Sequence, residues 1–211
     1  MRILGFYHCY LINAWYSIVS DHLRILLTSG LYDACEEINV SLIGFPEHRE
    51  LFKKYFSNVY PKLIIRIESE NPADYEFKAL GMIENDISKY VGFYFHTKGV
   101  TRPFEPAISN WNAWLSESII NHWREHYERV CNGYDVSSVN EMKSPDHFSG
   151  NFWWFRRDYI YRLPKIDTID KNNRFAAEQW ICMCKDRHTY AKEFVEPGRD
   201  VFLIEYKNQL K

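Results

Sequence analysis

The sequence predicts an α/β protein with a mostly parallel central sheet flanked by helices. Short β-rich runs alternate with stretches of helical periodicity along the chain, and such alternation implies crossover connections. The opening run Arg2–Cys9 and the run KYVGFYF at 89–95 both have the apolar, aromatic character of buried strands. Apolar residues make up 46% of 211 residues, which supplies one substantial core, so a single domain over 1–211 is expected.

The elements follow in order. Arg2–Cys9 is a first strand. Ala14–Ser29 carries Trp15, Ile18, Val19, His22, Leu23, Leu26 and Leu27 at spacings of three and four, a helix, and Gly30 stands at its C-cap position. Val40–Phe45 is a short strand stopped by Pro46, His48–Phe56 a short helix and Lys62–Ile67 a third strand. Tyr75–Ser88 is helical, and KYVGFYF runs into His96-Thr97-Lys98-Gly99. Ile108–Val130 reads as one long helix, with Trp111, Trp114, Leu115, Ser118, Ile119 and Trp123 along one side. Tyr134–Val139 suits a strand. Phe148–Phe155 is aromatic and leads into a short helical turn, Phe175–Lys185 is helical, and Val201–Tyr206 is a final strand.

Bulk properties exclude several classes. Charged residues are nearly balanced at a net −2, without the basic stripe of a nucleic-acid binder. Five scattered cysteines do not form a disulfide framework, and Cys182-x-Cys184 has no second pair at zinc spacing. No segment approaches the ~20 apolar residues of a membrane span. The opening MRILGFYHCYLINAW lacks a small-residue cleavage site and reads as a strand, so a cytoplasmic protein is expected.

Three segments can carry chemistry. In a sheet of this kind ligands bind beyond the carboxyl ends of strands. The strand YVGFYF delivers His96, Thr97 and Lys98 to such an end, and Gly99 permits a tight turn. A lysine and a histidine there suit phosphate oxygens, although a solvated surface loop would read the same. The segment DHFSGNFWWFRRDYIYRLP, 146–164, joins the small, hydrogen-bonding Ser149, Gly150 and Asn151 to four aromatics, Phe152, Trp153, Trp154 and Phe155. Trp153 or Trp154 can lie against the C–H edges of a sugar, but four consecutive aromatics cannot share one face, and two at least belong to the core. In RFAAEQWIC, 174–182, Glu178 sits at an apolar helix start, where a carboxylate can serve as general base. Arg174, four residues earlier, offers the alternative of an ion pair.

These segments, in this order, resemble small GT-A-like glycosyltransferases of bacterial surface-polysaccharide clusters and large viruses. The resemblance rests on YFHTKGV after a strand, the Trp-rich helix after it, and HFSGNFWWFRRDYIYRLP followed by a Glu-x-Trp helix. YHCYLINAWYSIVSDHLRILLTSGLYD is similar to the family's opening strand, loop and helix, and the match spans about residues 3–182. It implies a GT-A-like, Rossmann-like fold and an enzyme that moves a sugar from a nucleotide-sugar donor to a glycan or other hydroxyl acceptor. The setting implied is surface or capsid glycan synthesis.

It also implies site roles. The nucleotide would lie near His8, Tyr10 and Leu11, and the diphosphate near His96, Thr97 and Lys98. Gly150, Asn151, Trp153 and Trp154 would line the donor sugar and acceptor. Glu178 would be the base of an inverting reaction, with Asp146 as runner-up. The family's usual Asp-x-Asp, which holds a manganese or magnesium ion on the donor, occurs nowhere in this chain, and His96-Thr97-Lys98 stands in its place. That departure favours a metal-free site in which Lys98 supplies the cation, with a metal through His96 as the alternative. It also keeps in view a module of the same fold that binds nucleotide or sugar without turnover. A metal-dependent hydrolase using His96, His147 and nearby carboxylates fits less well, since the histidines show no usual ligand pair on one face: His122 and His126, four apart, flank Trp123, Arg124 and Glu125 on what reads as a solvated helix face.

Overall fold

The apolar opening run forms β1 (Ile3–Tyr10), an interior strand of a seven-stranded sheet. The computed structural model describes residues 1–102, 104–173 and 175–192. After β1 come α1 (Trp15–Thr28), α2 (Leu31–Ala34), β2 (Glu37–Ile43) and α3 (Pro46–Phe52), the last extended by a π turn over Lys53–Ser57. Then follow β3 (Leu63–Ser69), α4 (Phe77–Asn85), β4 (Val91–His96), α5 (Pro106–Ser116) and α6 (Trp123–Cys131). The C-terminal part adds β5 (Val136–Val139), a hairpin of β6 (Glu141–Lys143) and β7 (Asp146–Phe148), β8 (Trp153–Arg156), α7 (Arg157–Ile160), α8 (Phe175–Gln179) and β9 (Thr189–Lys192). The large sheet has the order β3-β2-β1-β4-β8-β5-β9, with β6 and β7 paired separately. All its pairings are parallel except those of β8, which runs antiparallel to both β4 and β5. The expected mostly parallel sheet with helices on its faces is therefore present.

Two apolar cores cover the two faces of the sheet, and the two-residue period of a strand sorts side chains between them. Tyr7 and Cys9 of β1, Phe93 and Phe95 of β4, and Trp154 of β8 face the core under α1, α5 and α6. Leu4, Phe6, Tyr94, Trp153 and Phe155 face the core that includes Leu80 and Ile83 of α4 and Trp180. Phe152 joins the first core, so the four consecutive aromatics divide evenly, two to each side. Trp153 and Trp154 are both 0% exposed, which overturns the expectation that either presents a face to a sugar.

The long helix expected over Ile108–Val130 is broken by a π turn at Glu117–Asn121. Carbonyls at this widened turn take side-chain donors: Trp154 Nε1 reaches Ile119 O at 2.9 Å and His126 Nε2 reaches Ser118 O at 3.0 Å. His126 is therefore not on a solvated face. It is buried, and its Nδ1 lies 2.8 Å from Ser137 Oγ. The helix expected at Phe175–Lys185 stops at Gln179 and passes into a 3₁₀ turn, Trp180–Cys182. The edge strand β9 carries no strong β pattern and was not expected, while the expected strand Val201–Tyr206 lies outside the described residues. Among the described residues no helix is long and apolar enough to cross a membrane.

A second buried histidine ties α1 to β1 and α5. Tyr7 Oη lies 2.9 Å from His22 Nδ1, and His22 Nε2 lies 3.1 Å from Asn112 Oδ1. The amide oxygen needs a donor, so Nε2 carries the proton and Nδ1 accepts from Tyr7. Burial pushes the pKa of His22 from 6.5 down to about 4 and that of His126 likewise to about 4. Both stay neutral in the fold and take up protons once unfolded, so the unfolded chain binds more protons below pH 6.5. Stability should fall as pH drops from about 6.5 to about 4, by up to ~1.4 kcal/mol per pH unit for each histidine. Urea midpoints measured across this range check it, and a flat profile would contradict the assignment of both as neutral core groups.

Candidate active site

The strand order sets the place of the site. From β1 the chain moves outward through β2 to β3, then returns to the other flank of β1 as β4. The strand order therefore reverses between β1 and β4, and in open α/β sheets ligands bind in the crevice outside the carboxyl ends of the strands at such a switch point. Thr97 bolts the two strand ends together: its N–H donates to His8 O at 3.1 Å, and its hydroxyl accepts from Tyr10 N at 2.9 Å. The same hydroxyl donates to Tyr10 O at 3.4 Å. Thr97, expected to bind the donor, is buried and spends its hydrogen bonds on this junction.

The mouth of the crevice is built by three loops. Asn13, at φ +47°, donates its amide to Val100 O at 3.1 Å, and His48 Nδ1 donates to Leu11 O at 2.8 Å. Tyr10 is half-buried and packs against the first core, whereas Phe45, just past β2, is 60% exposed. Lys98 is half-buried, its Nζ 4.4 Å from the Trp111 ring centroid, so a cation stands beside the mouth. Gly99 is required here: its φ is +84°, and a Cβ would come 2.4 Å from Ile108 Cγ2.

Deeper in, on the face of α4, lies a polar cluster. His8 and His96 are register partners on neighbouring parallel strands, so their side chains project side by side. His96 Nε2 lies 3.0 Å from Gly150 O. Only an N–H satisfies a carbonyl, so the proton is on Nε2. His96 Nδ1 faces Glu76 Oε1 at 3.8 Å. The other Glu76 oxygen accepts from Tyr94 Oη at 2.7 Å and from Asn151 Nδ2 in a short bond. Asn151 Oδ1 in turn accepts from Trp153 Nε1 at 2.7 Å. The turn supplying Gly150 and Asn151 takes positive φ at both, +93° and +56°. A Cβ on Gly150 would come 2.4 Å from Leu115 Cδ1.

Burial dominates the electrostatics. It drives the pKa of His8 down to about 4 against the opposing pull of Glu76. It drives that of His96 down to about 3, with Lys98 adding to the effect. Both imidazoles are therefore neutral near pH 7. Burial, then Glu76, raises the Tyr94 phenol, which stays a donor to that carboxylate. His96 thus lacks the charge expected of a diphosphate ligand: its one N–H is used on a carbonyl and its other nitrogen faces a carboxylate.

The two carboxylates expected as bases part company. Glu178, on α8, is half-buried and near enough for its charge to bear on Tyr94 and His96. Its neighbours Ala176 and Ala177 are buried, so they serve close packing of α8 rather than substrate access. Arg174 lies outside the described residues. Asp146 accepts from Arg187 Nη2 at 2.8 Å, and Arg187 also holds Glu141 at 3.0 Å and Cys182 O at 2.8 Å. Asp146 is thus engaged in a charge-assisted hydrogen bond that ties β7 to Arg187. It lines an open cleft of about 440 Å³ together with Gln179, Cys182, Met183, Lys185 and Arg187. Glu76 escaped sequence reasoning, because nothing at the start of α4 announces that it reaches a turn 75 residues away.

The donor set does not fit a divalent cation at 96–98. That stretch offers one neutral, already hydrogen-bonded imidazole and a lysine. Among the described residues no three His, Cys, Asp or Glu side chains stand together as a ligand set.

No protein-family model matches the chain, and neither does any curated protein. Among solved structures the chain is similar to 4-diphosphocytidyl-2C-methyl-D-erythritol synthase from Anaerococcus prevotii, at 10% identity and a TM-score of 0.45. That match covers 100% of this chain and 96% of the other. It is also similar to a protein from Desulfovibrio desulfuricans described as a nucleotide-diphospho-sugar transferase, at 9% identity and a TM-score of 0.44, covering 92% and 80% of the two chains.

Proposed function

We propose that this chain is a glycosyltransferase that moves a sugar from a nucleotide-sugar donor to a hydroxyl acceptor with inversion. The observation that carries the reading is the strand-order reversal between β1 and β4, with the Lys98 cation in the loop beyond β4 and a buried imidazole–carboxylate cluster at the strand ends. The resemblance of the HTKG and SGNFWW segments to GT-A-like enzymes supports it. In the reaction the acceptor oxygen bonds to the anomeric carbon as the bond from that carbon to the diphosphate breaks. The nucleoside diphosphate departs with the bonding pair, and Lys98 faces the charge that develops on it. The acceptor's proton passes to Glu178. A second reading, a module that binds nucleotide or sugar without turnover, draws on the missing Asp-x-Asp and on the lack, among the described residues, of a fitting donor set for a divalent cation. A donor-hydrolysis assay with and without manganese separates the two.

Two outcomes follow for Lys98. A nucleoside diphosphate should raise the melting temperature more than its nucleoside does, by mass action on the folded state. Lys98→Ala should abolish that difference and lower turnover by ~10²–10³-fold, a larger loss than EDTA causes. Equal shifts for nucleoside and diphosphate would remove the phosphate role. Full inactivation by EDTA with rescue by manganese would hand the role to a metal.

Glu178→Gln keeps the shape and removes the basicity. Turnover should fall by ~10²–10⁴-fold while donor affinity and melting temperature hold. A stable, fully active variant would rule out Glu178 as the base.

A further inference from the structure

On the α4 face two acceptor atoms, His96 Nδ1 and Glu76 Oε1, face each other with no donor between them among the described residues, and a third unpartnered atom, His8 Nδ1, stands on the register partner of His96. His8 is 4% exposed, and its Nδ1 is buried without a partner. His96 Nδ1 holds a lone pair, because the proton sits on Nε2 against Gly150 O. Glu76 Oε1 faces that lone pair at 3.8 Å, while Oε2 takes both internal donors. Two acceptors turned toward each other repel unless a donor comes between them, and a buried unpaired group is costly. A phosphate has only acceptors and cannot relieve this. A pair of adjacent hydroxyls can: one donates to Glu76 Oε1, the other to His96 Nδ1, and His8 Nδ1 can take the tautomer that completes the set.

We propose that His8, His96 and Glu76 form a cradle for a vicinal diol of the bound ligand. The proposal deepens the nucleotide-sugar reading and rests on it for the ligand class. The diol has two possible sources, the ribose of the nucleotide and the transferred sugar. Lys98 then serves the phosphates at the mouth and the cradle serves hydroxyls below, so the two expected phosphate ligands His96 and Lys98 divide between different chemistries.

The test turns on Glu76→Gln. In that variant the amide oxygen can accept from Tyr94 and Asn151, and the amide N–H₂ can donate to His96 Nδ1. Every internal partner is satisfied, so the fold should be as stable as wild type or more so, while the cradle is closed. Binding is measured by protein-observed NMR titration in two series. One pairs ADP, GDP, CDP and UDP with their 2′,3′-dideoxy analogues. The other pairs the methyl glycosides of glucose, galactose and mannose with their 3-deoxy counterparts, which keep no two hydroxyls on neighbouring carbons. Wild type should prefer the diol-bearing member of at least one series by ~10-fold or more, the usual effect of a hydrogen bond to a charged group. Glu76→Gln should erase the preference at unchanged melting temperature, and His8→Leu should reduce it. Preference in the first series makes ribose the source; preference in the second makes it the sugar. Equal affinities in both series, or a preference that survives Glu76→Gln, would overturn the cradle. Glycoside preference with no diphosphate binding would leave the cradle standing and sink the nucleotide-sugar reading. Diphosphate binding without preference in either series would do the reverse.

Discussion

The pairing of β1 with β4 is the constraint on which the rest depends. Both strands are buried on both faces, and six residues of each stand in parallel register from Ile3↔Val91 to His8↔His96. Aromatic stacking supports that register, with Tyr7 on Phe95 at 4.1 Å between centroids, and on the other flank of β4 Phe93 lies on Trp154 of β8 at 5.0 Å. At the carboxyl end the packing gives way to polar contacts. Thr97 closes the pair, and beyond it Asn13 still reaches across to Val100 O. A one-residue slip would send His8 and His96 to opposite faces and dissolve the cluster with Glu76.

The alternation that makes the cores also segregates the chemistry. Residues on the α4 face reach Glu76, Asn151 and Glu178, whereas the loop beyond His96 carries Lys98 toward Trp111 of α5. A neutral, acceptor-rich interior and a cation at the rim thus arise a few residues apart on one strand and its loop. On the proposed reading His96 and Lys98, two residues apart, serve a hydroxyl-bearing and a phosphate-bearing part of one ligand, one at the end of β4 and the other in the loop beyond it.

Much of this was legible beforehand. The strands at Arg2–Cys9 and KYVGFYF, the helix at Ala14–Ser29 and the position of HTKG at a strand end follow from local pattern. What local pattern cannot carry is pairing. Trp153 and Trp154 look like a sugar platform until β8 is seen to run antiparallel between β4 and β5, which buries both. Asp146 looks like a base until Arg187, 41 residues on, claims it. His126 looks solvated because the π turn that rotates α6 has no sequence signature, and Glu76 matters only through a turn far along the chain.

The most direct measurement is an amide chemical-shift map of the protein titrated with nucleoside diphosphates. If the β1–β4 switch point is the binding crevice, perturbations concentrate at Tyr10–Asn13, His96–Val100 and Gly150–Asn151. Perturbations confined to the cleft of Asp146, Gln179, Lys185 and Arg187, with the ends of β1 and β4 silent, would contradict it.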